Sequence, residues 1–176
     1  MDQHLKFDGY LSINLSARHF EHRDSIHQMI ALLAENNLPV RSLRFEITES
    51  ALMKDHKKAL LYMQDLQSRG FLIALDDFGT GYSSLKYLKE FPIQIIKVDK
   101  IFVDDTGINK NNEALIVTTF GMAESLQMNC VAEGIQTAEQ ITFFKHHGCD
   151  LLQGYYFSKP VAVNETYILL EKIWDI

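Results

Sequence analysis

The residues of this 176-residue chain that could do chemistry are carboxylates, amides and one lysine, each near the end of a short apolar run. Asp76 and Asp77 directly follow the run FLIAL, and Lys97 lies within QIIKV. Four more polar residues stand in the same position relative to their own runs: Asn14, Glu46, Glu133 and Gln153. Hard oxygen ligands of this kind suit Mg²⁺ or Mn²⁺, and an adjacent aspartate pair can bridge two such ions. A two-metal site of this composition is typical of phosphodiester hydrolysis, where the ions hold the attacking and leaving oxygens.

Lys97 is expected at the same rim as the carboxylates, where it can position or deprotonate a water or neutralise developing charge. Taken alone, a lysine in an apolar strand is more often an edge residue whose amine reaches solvent. Asn14, Glu46 and Gln153, taken singly, are more often capping, loop-anchoring or solvated residues. The joint pattern favours a catalytic site, because two aspartates that end an apolar strand are followed by paired glycines in DDFGTGY.

The elements that must position these residues are short β-rich runs that alternate with stretches of helical period, which predicts an α/β fold with a parallel sheet. Six strands are predicted, at residues 10–14, 43–47, 71–75, 94–98, 129–132 and 150–153. Six helices are predicted, at residues 24–36, 55–69, 83–90, 112–126, 138–147 and 164–174, with Asp55 and Asn112 as caps. In a (β/α) barrel the carboxyl ends of successive strands converge on one mouth, so four carboxylates are expected to share one pocket. Such crowding demands a cation or a raised pKa.

Composition limits the class of protein and of ligand. With 47% hydrophobic and 23% charged residues the chain is typical of one soluble domain, and no run approaches the roughly 20 apolar residues of a membrane span. The net charge of -6 argues against a surface for a nucleic acid polymer, although metal ions can still bring phosphate groups into a local pocket. Cys130 and Cys149 lack metal-ligand spacing and are interpreted as free thiols in a reducing compartment. We therefore expect a cytoplasmic domain without a membrane segment.

Six segments resemble, in order and spacing, the EAL domain of cyclic-di-GMP-specific phosphodiesterases: SINLSARHF, RFEITESALM, ALDDFGTGYSSL, IKVDKIFV, VAEGIQT and QGYYFSKPV. The resemblance implies a modified TIM (β/α) barrel that cuts cyclic di-GMP to linear pGpG with two divalent metals, Mg²⁺ or Mn²⁺. It implies that metal ligands are supplied by five residues: Asn14, Glu46, Asp76, Asp77 and Glu133. It implies a catalytic set in which Lys97 activates water and Gln153 joins Asp77 and Glu133 in the metal and water shell. Glu49 corresponds to the residue that holds the loop at 76–82, which in the family links metal binding to dimerisation.

The chain departs from that family in two places. The Glu-Ala-Leu motif of the family lies on an early strand, well ahead of the segment that matches SINLS, whereas only 13 residues precede Asn14 here. The string Glu113, Ala114, Leu115 stands in a predicted helix and is interpreted as a coincidence. We therefore expect residues 1–176 to be a partial EAL domain, a barrel incomplete at its N terminus with about six βα units. Gln136 stands where the family usually has glutamate, at a position that, by the resemblance, is expected to support the catalytic lysine and nearby water.

Open strand edges invite pairing, so we expect a homodimer or a strand-exchanged oligomer. Three functions stay open on the sequence alone: a metal-dependent phosphodiesterase, a receptor that binds cyclic di-GMP without cutting it, and a partner-binding remnant. Retention of the matching ligands favours the enzyme, whereas the missing leading glutamate and the neutral Gln136 favour reduced turnover. Whether the chain is a truncated piece, a natural remnant or half of a split barrel also stays open.

Overall fold

One six-stranded parallel sheet organises the chain, and its strands follow one another in sequence order. The structure is a computed structural model, and it describes residues 9–20, 24–79, 85–172 and 174. The strands are β1 (Leu11–Leu15), β2 (Leu43–Thr48), β3 (Leu72–Phe78), β4 (Ile95–Val98), β5 (Asn129–Glu133) and β6 (Leu151–Gln153). Among the described strands, β1 and β6 each pair with one neighbour and are therefore the sheet edges.

Helices connect the strands, as a parallel sheet requires. They are α1 (Asp24–Glu35), α2 (Glu49–Lys54), α3 (His56–Ser68), α4 (Leu85–Glu90), α5 (Lys100–Asp104), α6 (Lys110–Ser125), α7 (Ala138–His146) and α8 (Val163–Leu170). Two short 3-10 turns, Ala17–Phe20 and Val40–Ser42, complete the set. Across the described ranges, none of these helices has both the length and the apolar character needed to cross a membrane.

The core lies mainly between the sheet and the helices. Alternate residues of a strand face opposite sides, so Phe45, Ile47 and Ile73 pack outward, where they share one buried cluster with Met63 and Leu66 of α3. A second cluster joins Val103, Ile116, Ala132, Ile135 and Phe144 beneath α5, α6 and α7. The opposite face of the sheet carries only a small apolar cluster of Ala74, Ile95 and Val131. The apolar side of the sheet is therefore the one that the helices cover.

The sheet is curled, because its two edge strands approach the same interior space. A cavity of about 40 Å³ is lined by Ser12 of β1, by Glu46, Ala74 and Lys97 of the middle strands, and by Gln153 of β6. Eight strands close a barrel of this type, and six are described here. The predicted fold class, an incomplete modified TIM barrel of the α/β class, is confirmed.

All six predicted strands and six predicted helices are present within the described residues, with limits shifted by a few positions. Residues 83–84 of the predicted fourth connection lie outside the described residues, and the last helix ends at Leu170 rather than at residue 174. Asp55 caps α3 as predicted, since its Oδ1 accepts the Lys58 N–H at 3.2 Å. The predicted Asn112 cap is wrong: α6 begins at Lys110, and the Asn109 side chain accepts the N–H of Asn112 and of the residue before it.

The two cysteines are free thiols, as predicted. Cys149 is buried in the second cluster, and its thiol donates weakly to the Cys130 carbonyl at 3.5 Å. Burial raises the pKa of Cys130 to about 12 and that of Cys149 to about 11. Neither thiol is activated, because the thiolate is the reactive form.

Alanine substitutions at two glycines are expected to have opposite effects on stability. Gly121 lies inside α6, and a Cβ at this position would meet no described heavy atom within 4 Å. Glycine is less favourable than alanine in a helix interior, so Gly121→Ala is expected to raise the free energy of unfolding by about 0.5–1 kcal/mol. A Cβ at Gly154 would collide with the Ile135 backbone, so Gly154→Ala should lower that free energy. Urea unfolding of both variants is the measurement, and midpoints that shift the same way would contradict the packing described.

Candidate active site

Lys97 is the centre of the candidate active site. It is the third residue of β4, in which every residue is buried, and 4% of its side chain is exposed. Its Nζ lies 2.5 Å from Glu46 Oε2, 2.5 Å from Glu133 Oε1 and 3.4 Å from Asp76 Oδ1. The three carboxylates come from β2, β5 and β3, so four strands bring their charged residues to one point. The structure therefore brings together the carboxylates that the sequence placed at separate strand ends.

Strand register accounts for this convergence. Asn14 on β1 stands beside Glu46 on β2, and Glu133 on β5 stands beside Gln153 on β6. The Asn14 and Gln153 side chains are both exposed, and neither makes a hydrogen bond with a described residue. They flank the buried cluster from the two ends of the sheet, where they remain available to a ligand.

The Asp76-Asp77 pair lies at an irregularity in β3. The pairing of β3 with β4 shifts between Leu75 and Phe78, and Asp77 has a φ of 56°, which is uncommon for a residue other than glycine. In a regular strand two adjacent side chains would face opposite sides of the sheet. The bulge breaks that alternation, and the Asp77 N–H donates to Asp76 Oδ1 at 3.1 Å. The Asp77 carboxylate is near enough to Asp76 and Lys97 to interact electrostatically with both.

The electrostatics of the cluster follow from burial and crowding. Burial alone would lower the pKa of Lys97, but hydrogen bonds to Glu133 and Glu46 and attraction to Asp76 raise it above its usual value. Burial also raises the pKa of Glu133, and Lys97 offsets only part of that shift. For Asp77, burial and then repulsion from Asp76 and Asp99 raise the pKa of the carboxyl group. The two carboxyl shifts have the cause expected where like charges share a desolvated pocket, and the Lys97 shift has the cause expected of an ammonium among carboxylates.

Glu49, the predicted loop anchor, is buried as the first residue of α2. Thr48 caps this helix by accepting the Ala51 N–H at 3.3 Å, which fixes the direction in which the chain leaves β2. Residues 80–82 of the loop that Glu49 is predicted to hold lie outside the described residues. The anchoring role of Glu49 therefore stays a prediction.

The donor set fits divalent metal ions. One ammonium faces three carboxylates, and Asp77 adds a fourth, so the cluster keeps a negative surplus. Carboxylate and amide oxygens are the ligands that hard divalent ions prefer, and Asn14 offers an amide beside Glu46. Among the described residues no three His, Cys, Asp or Glu side chains are already arranged around a common metal position. The Lys97 ammonium lies between the carboxylates instead and neutralises part of their charge.

Arg44 is the residue of this region that the sequence analysis missed. It lies on the inward face of β2, two residues before Glu46, and lines the same 40 Å³ cavity as Glu46 and Lys97. Its guanidinium stacks on the Tyr10 ring, 3.2 Å from the ring centroid. The signal was available, because a charged residue two positions before Glu46 must share its face of the strand.

Comparison with known proteins gives the same assignment over most of the chain. The family model described as the EAL domain matches residues 1–160. The signaling protein YkoW of Bacillus subtilis is 38% identical over 155 residues, which cover 88% of this chain and 19% of YkoW. MucR of Pseudomonas aeruginosa, named as a bifunctional diguanylate cyclase and cyclic di-GMP phosphodiesterase, is 33% identical over 158 residues, 90% of this chain and 23% of MucR. The chain therefore spans about a fifth of the length of these relatives.

Solved structures agree with the fold. The phosphodiesterase of PaMucR in complex with cyclic di-GMP superimposes with a TM-score of 0.81 at 33% identity, covering 89% of this chain and 64% of that one. BlrP1 of Klebsiella pneumoniae, in a complex with manganese and cyclic di-GMP, superimposes with a TM-score of 0.80 at 31% identity. The alignment covers 86% of this chain and 39% of the BlrP1 chain. The curled parallel sheet, the family match and these relatives together show that the chain belongs to the EAL domain family.

Proposed function

We propose that this chain carries the metal-dependent hydrolysis of cyclic di-GMP to linear pGpG. The observation that carries the proposal is the buried Lys97 ammonium held between Glu46, Asp76 and Glu133 at the mouth of a parallel sheet. Membership of a family that contains named cyclic di-GMP phosphodiesterases supports the substrate. Cleavage of a phosphodiester needs positive charge near the phosphate oxygens and a positioned water, and this rim offers the groups for both.

In this proposal Glu46, Asp76, Asp77 and Glu133 hold two divalent ions, and Asn14 completes the set with its amide oxygen. The complex of BlrP1 with manganese supports a divalent ion, and we propose Mg²⁺ or Mn²⁺. When bound, the metal ions supply a Lewis acid for the phosphate and a more acidic water. Gln153 stands beside Glu133 in register and orients water at the β6 side of the rim.

Lys97 has two tasks in the proposed reaction. Its ammonium offsets the repulsion between the carboxylates, which keeps their oxygens close enough to share cations. It also donates a hydrogen bond toward the water or the phosphate oxygens, where it balances negative charge that develops during cleavage. Both tasks require Lys97 to lie at the centre of the cluster, within hydrogen-bonding distance of the carboxylates.

Replacing Lys97 with methionine tests the proposal, because methionine keeps much of the side-chain volume and removes the charge. We expect pGpG formation, followed by chromatography with Mg²⁺ or Mn²⁺ present, to fall by at least about 100-fold. Lys89→Met, at an exposed lysine in the last turn of α4, is the matched control and should keep its rate. Full activity of the Lys97 variant would remove this residue from the mechanism. Tight binding of cyclic di-GMP by the wild-type chain without turnover would indicate a receptor instead.

We also propose that the chain associates into a homodimer or a strand-exchanged oligomer. The edges of β1 and β6 each have one described neighbour, and α8 contains no buried residue among those described. Its apolar side chains are largely in solvent, with Val163 82% and Ile168 72% exposed. Strand edges with one described neighbour and exposed apolar side chains both favour contact with another polypeptide.

Light scattering of the purified chain measures this association. We expect a mass above the monomer mass of 20.3 kDa, and a smaller mass for Ile168→Lys, because a charge on α8 is incompatible with a buried contact. Lys172→Ala is the control outside the apolar face. A monomeric wild-type chain at working concentration would contradict the proposed association. The predicted cytoplasmic location stays a prediction.

Gln136, the position that departs from the family, contacts α5 rather than Lys97. Its Nε2 donates to Asp104 Oδ1 at 3.4 Å, and its backbone N–H donates to Gln140 Oε1 at 2.7 Å. Asp104 also pairs with Lys100. A neutral amide suits this place, because a carboxylate at position 136 would face the carboxylate of Asp104.

Gln136→Glu is therefore expected to lower stability without raising turnover. Repulsion from Asp104 should reduce the free energy of unfolding by about 0.5 kcal/mol at low salt, since both groups are partly exposed. The loss should disappear in about 1 M salt, where exposed charges are screened. Urea unfolding at both salt concentrations measures it, with Gln136→Ala as the uncharged control. A variant that cleaves cyclic di-GMP faster than the wild type would show that the glutamate acts on Lys97 after all.

A further inference from the structure

A groove between α6 and α7 lies at the end of the sheet opposite to the carboxylate cluster. Its volume is about 430 Å³, which is within the range of small-molecule sites. Its lining includes Phe120, Gly121 and Glu124 of α6, Met128 and Asn129 at the start of β5, and His147 after α7. Glu133, which belongs to the proposed catalytic rim, ends the strand that Asn129 begins. The groove is therefore separate from the proposed substrate site.

Gly121 opens this groove. A Cβ at this exposed position of α6 would meet no described heavy atom within 4 Å, so no described residue packs against the glycine at that point. Glycine destabilises a helix interior, and no closer packing of the described residues compensates for it here. The bare backbone instead lets another molecule approach α6 beside the Phe120 ring.

Three polar side chains that line the groove can accept hydrogen bonds from a ligand: Glu124, Asn129 and His147. Nδ1 of His147 lies 2.8 Å from the Phe143 carbonyl oxygen, which can only accept, so this nitrogen carries a proton and Nε2 is the ring nitrogen that can accept one. Glu124 and Asn129 are exposed, and the Glu124 carboxylate and the Asn129 amide oxygen are acceptors at the wall of the groove. A ligand that donates hydrogen bonds can use all three.

The electrostatic character of the groove favours a cation. Its walls include the last turn of α6, which ends at Ser125, and the residues that follow α7, which ends at His146. Both helices direct the negative end of their dipoles to this region, and the Glu124 carboxylate adds a full negative charge. Lys145 and His146 are basic residues in the last turn of α7, but they do not line the groove.

We propose that this groove binds a small organic cation in which an ammonium group is joined to one aromatic ring. The ammonium group pairs with Glu124 and donates to Nε2 of His147, while the ring lies across Gly121 against Phe120 and Met128. The site needs no part of the carboxylate cluster, so binding there is independent of whether the chain cleaves cyclic di-GMP.

Calorimetry of the full chain with 2-phenylethylamine tests the site, with 2-phenylethanol as the uncharged probe of the same shape. We expect a dissociation constant of about 1 mM or lower for the amine, which is the range open to a ligand of this size. The alcohol should bind at least about 10-fold more weakly, because it cannot pair with a carboxylate. Equal affinity for the two probes, or no binding of either, would overturn the proposal.

Variants locate the binding. Gly121→Leu fills the groove and should weaken binding of the amine by more than about 10-fold, whereas Thr118→Leu, at an exposed residue of α6 that does not line the groove, should leave the affinity unchanged. Glu124→Gln changes only an exposed side chain and should bring the amine and the alcohol to similar affinities. Binding that survives Gly121→Leu, or a preference for the amine that survives Glu124→Gln, would place the probe elsewhere. If the leucine variant does not fold, the Glu124 result decides alone.

Discussion

The arrangement depends on one buried ammonium that three carboxylates surround. Removing charged groups from water is costly, and the cost is offset only when partners of opposite charge lie at hydrogen-bonding distance. Lys97 meets this condition at 2.5 Å from Glu46 and from Glu133. The contacts join β4 to β2 and β5, so they require the sheet to be curled. A flat sheet would carry the outer carboxylates away from the amine.

The two faces of the sheet have different roles: the outward face stabilises the fold, and the inward face carries the charged residues. The outward face carries large side chains such as Phe45, Ile47 and Ile73, which pack against helices and supply most of the buried apolar surface. The inward face carries a small apolar layer of Ala74 and Ile95, and above it the charged residues. Because strand residues alternate between faces, the same short runs supply both the packed outward face and the charged inward face. A charged residue in an apolar run is therefore tolerated here where its side chain is on the inward face of the sheet.

Much of the fold was predictable because the local signals agree with the tertiary structure. The apolar runs are long enough to be strands, and helical periodicity fills the intervals between them. The helices α2 and α5 were missed because six and five residues are too few to show a periodicity. The cap of α6 was misplaced because 109, 111 and 112 are all asparagines, and side chains of identical chemistry cannot be ranked without the backbone path. Of the site, the residue types and their strand ends were predictable, whereas Arg44 was missed although its spacing from Glu46 indicated its face.

The sequence by itself determined which groups are available and in what order the strands present them. Residue types and strand-end positions are local properties, so Asn14, Glu46, Asp76, Asp77, Glu133 and Gln153 could be selected without coordinates. Only the tertiary structure decided that Lys97 is shared between carboxylates up to 51 residues away, and that Gln136 turns to Asp104. It also decided that no described heavy atom lies within 4 Å of a Cβ at Gly121. The reason is physical: such contacts are set by the curl of the sheet and by a bulge at Asp77, and a shift of one residue in register would send each side chain to the other face.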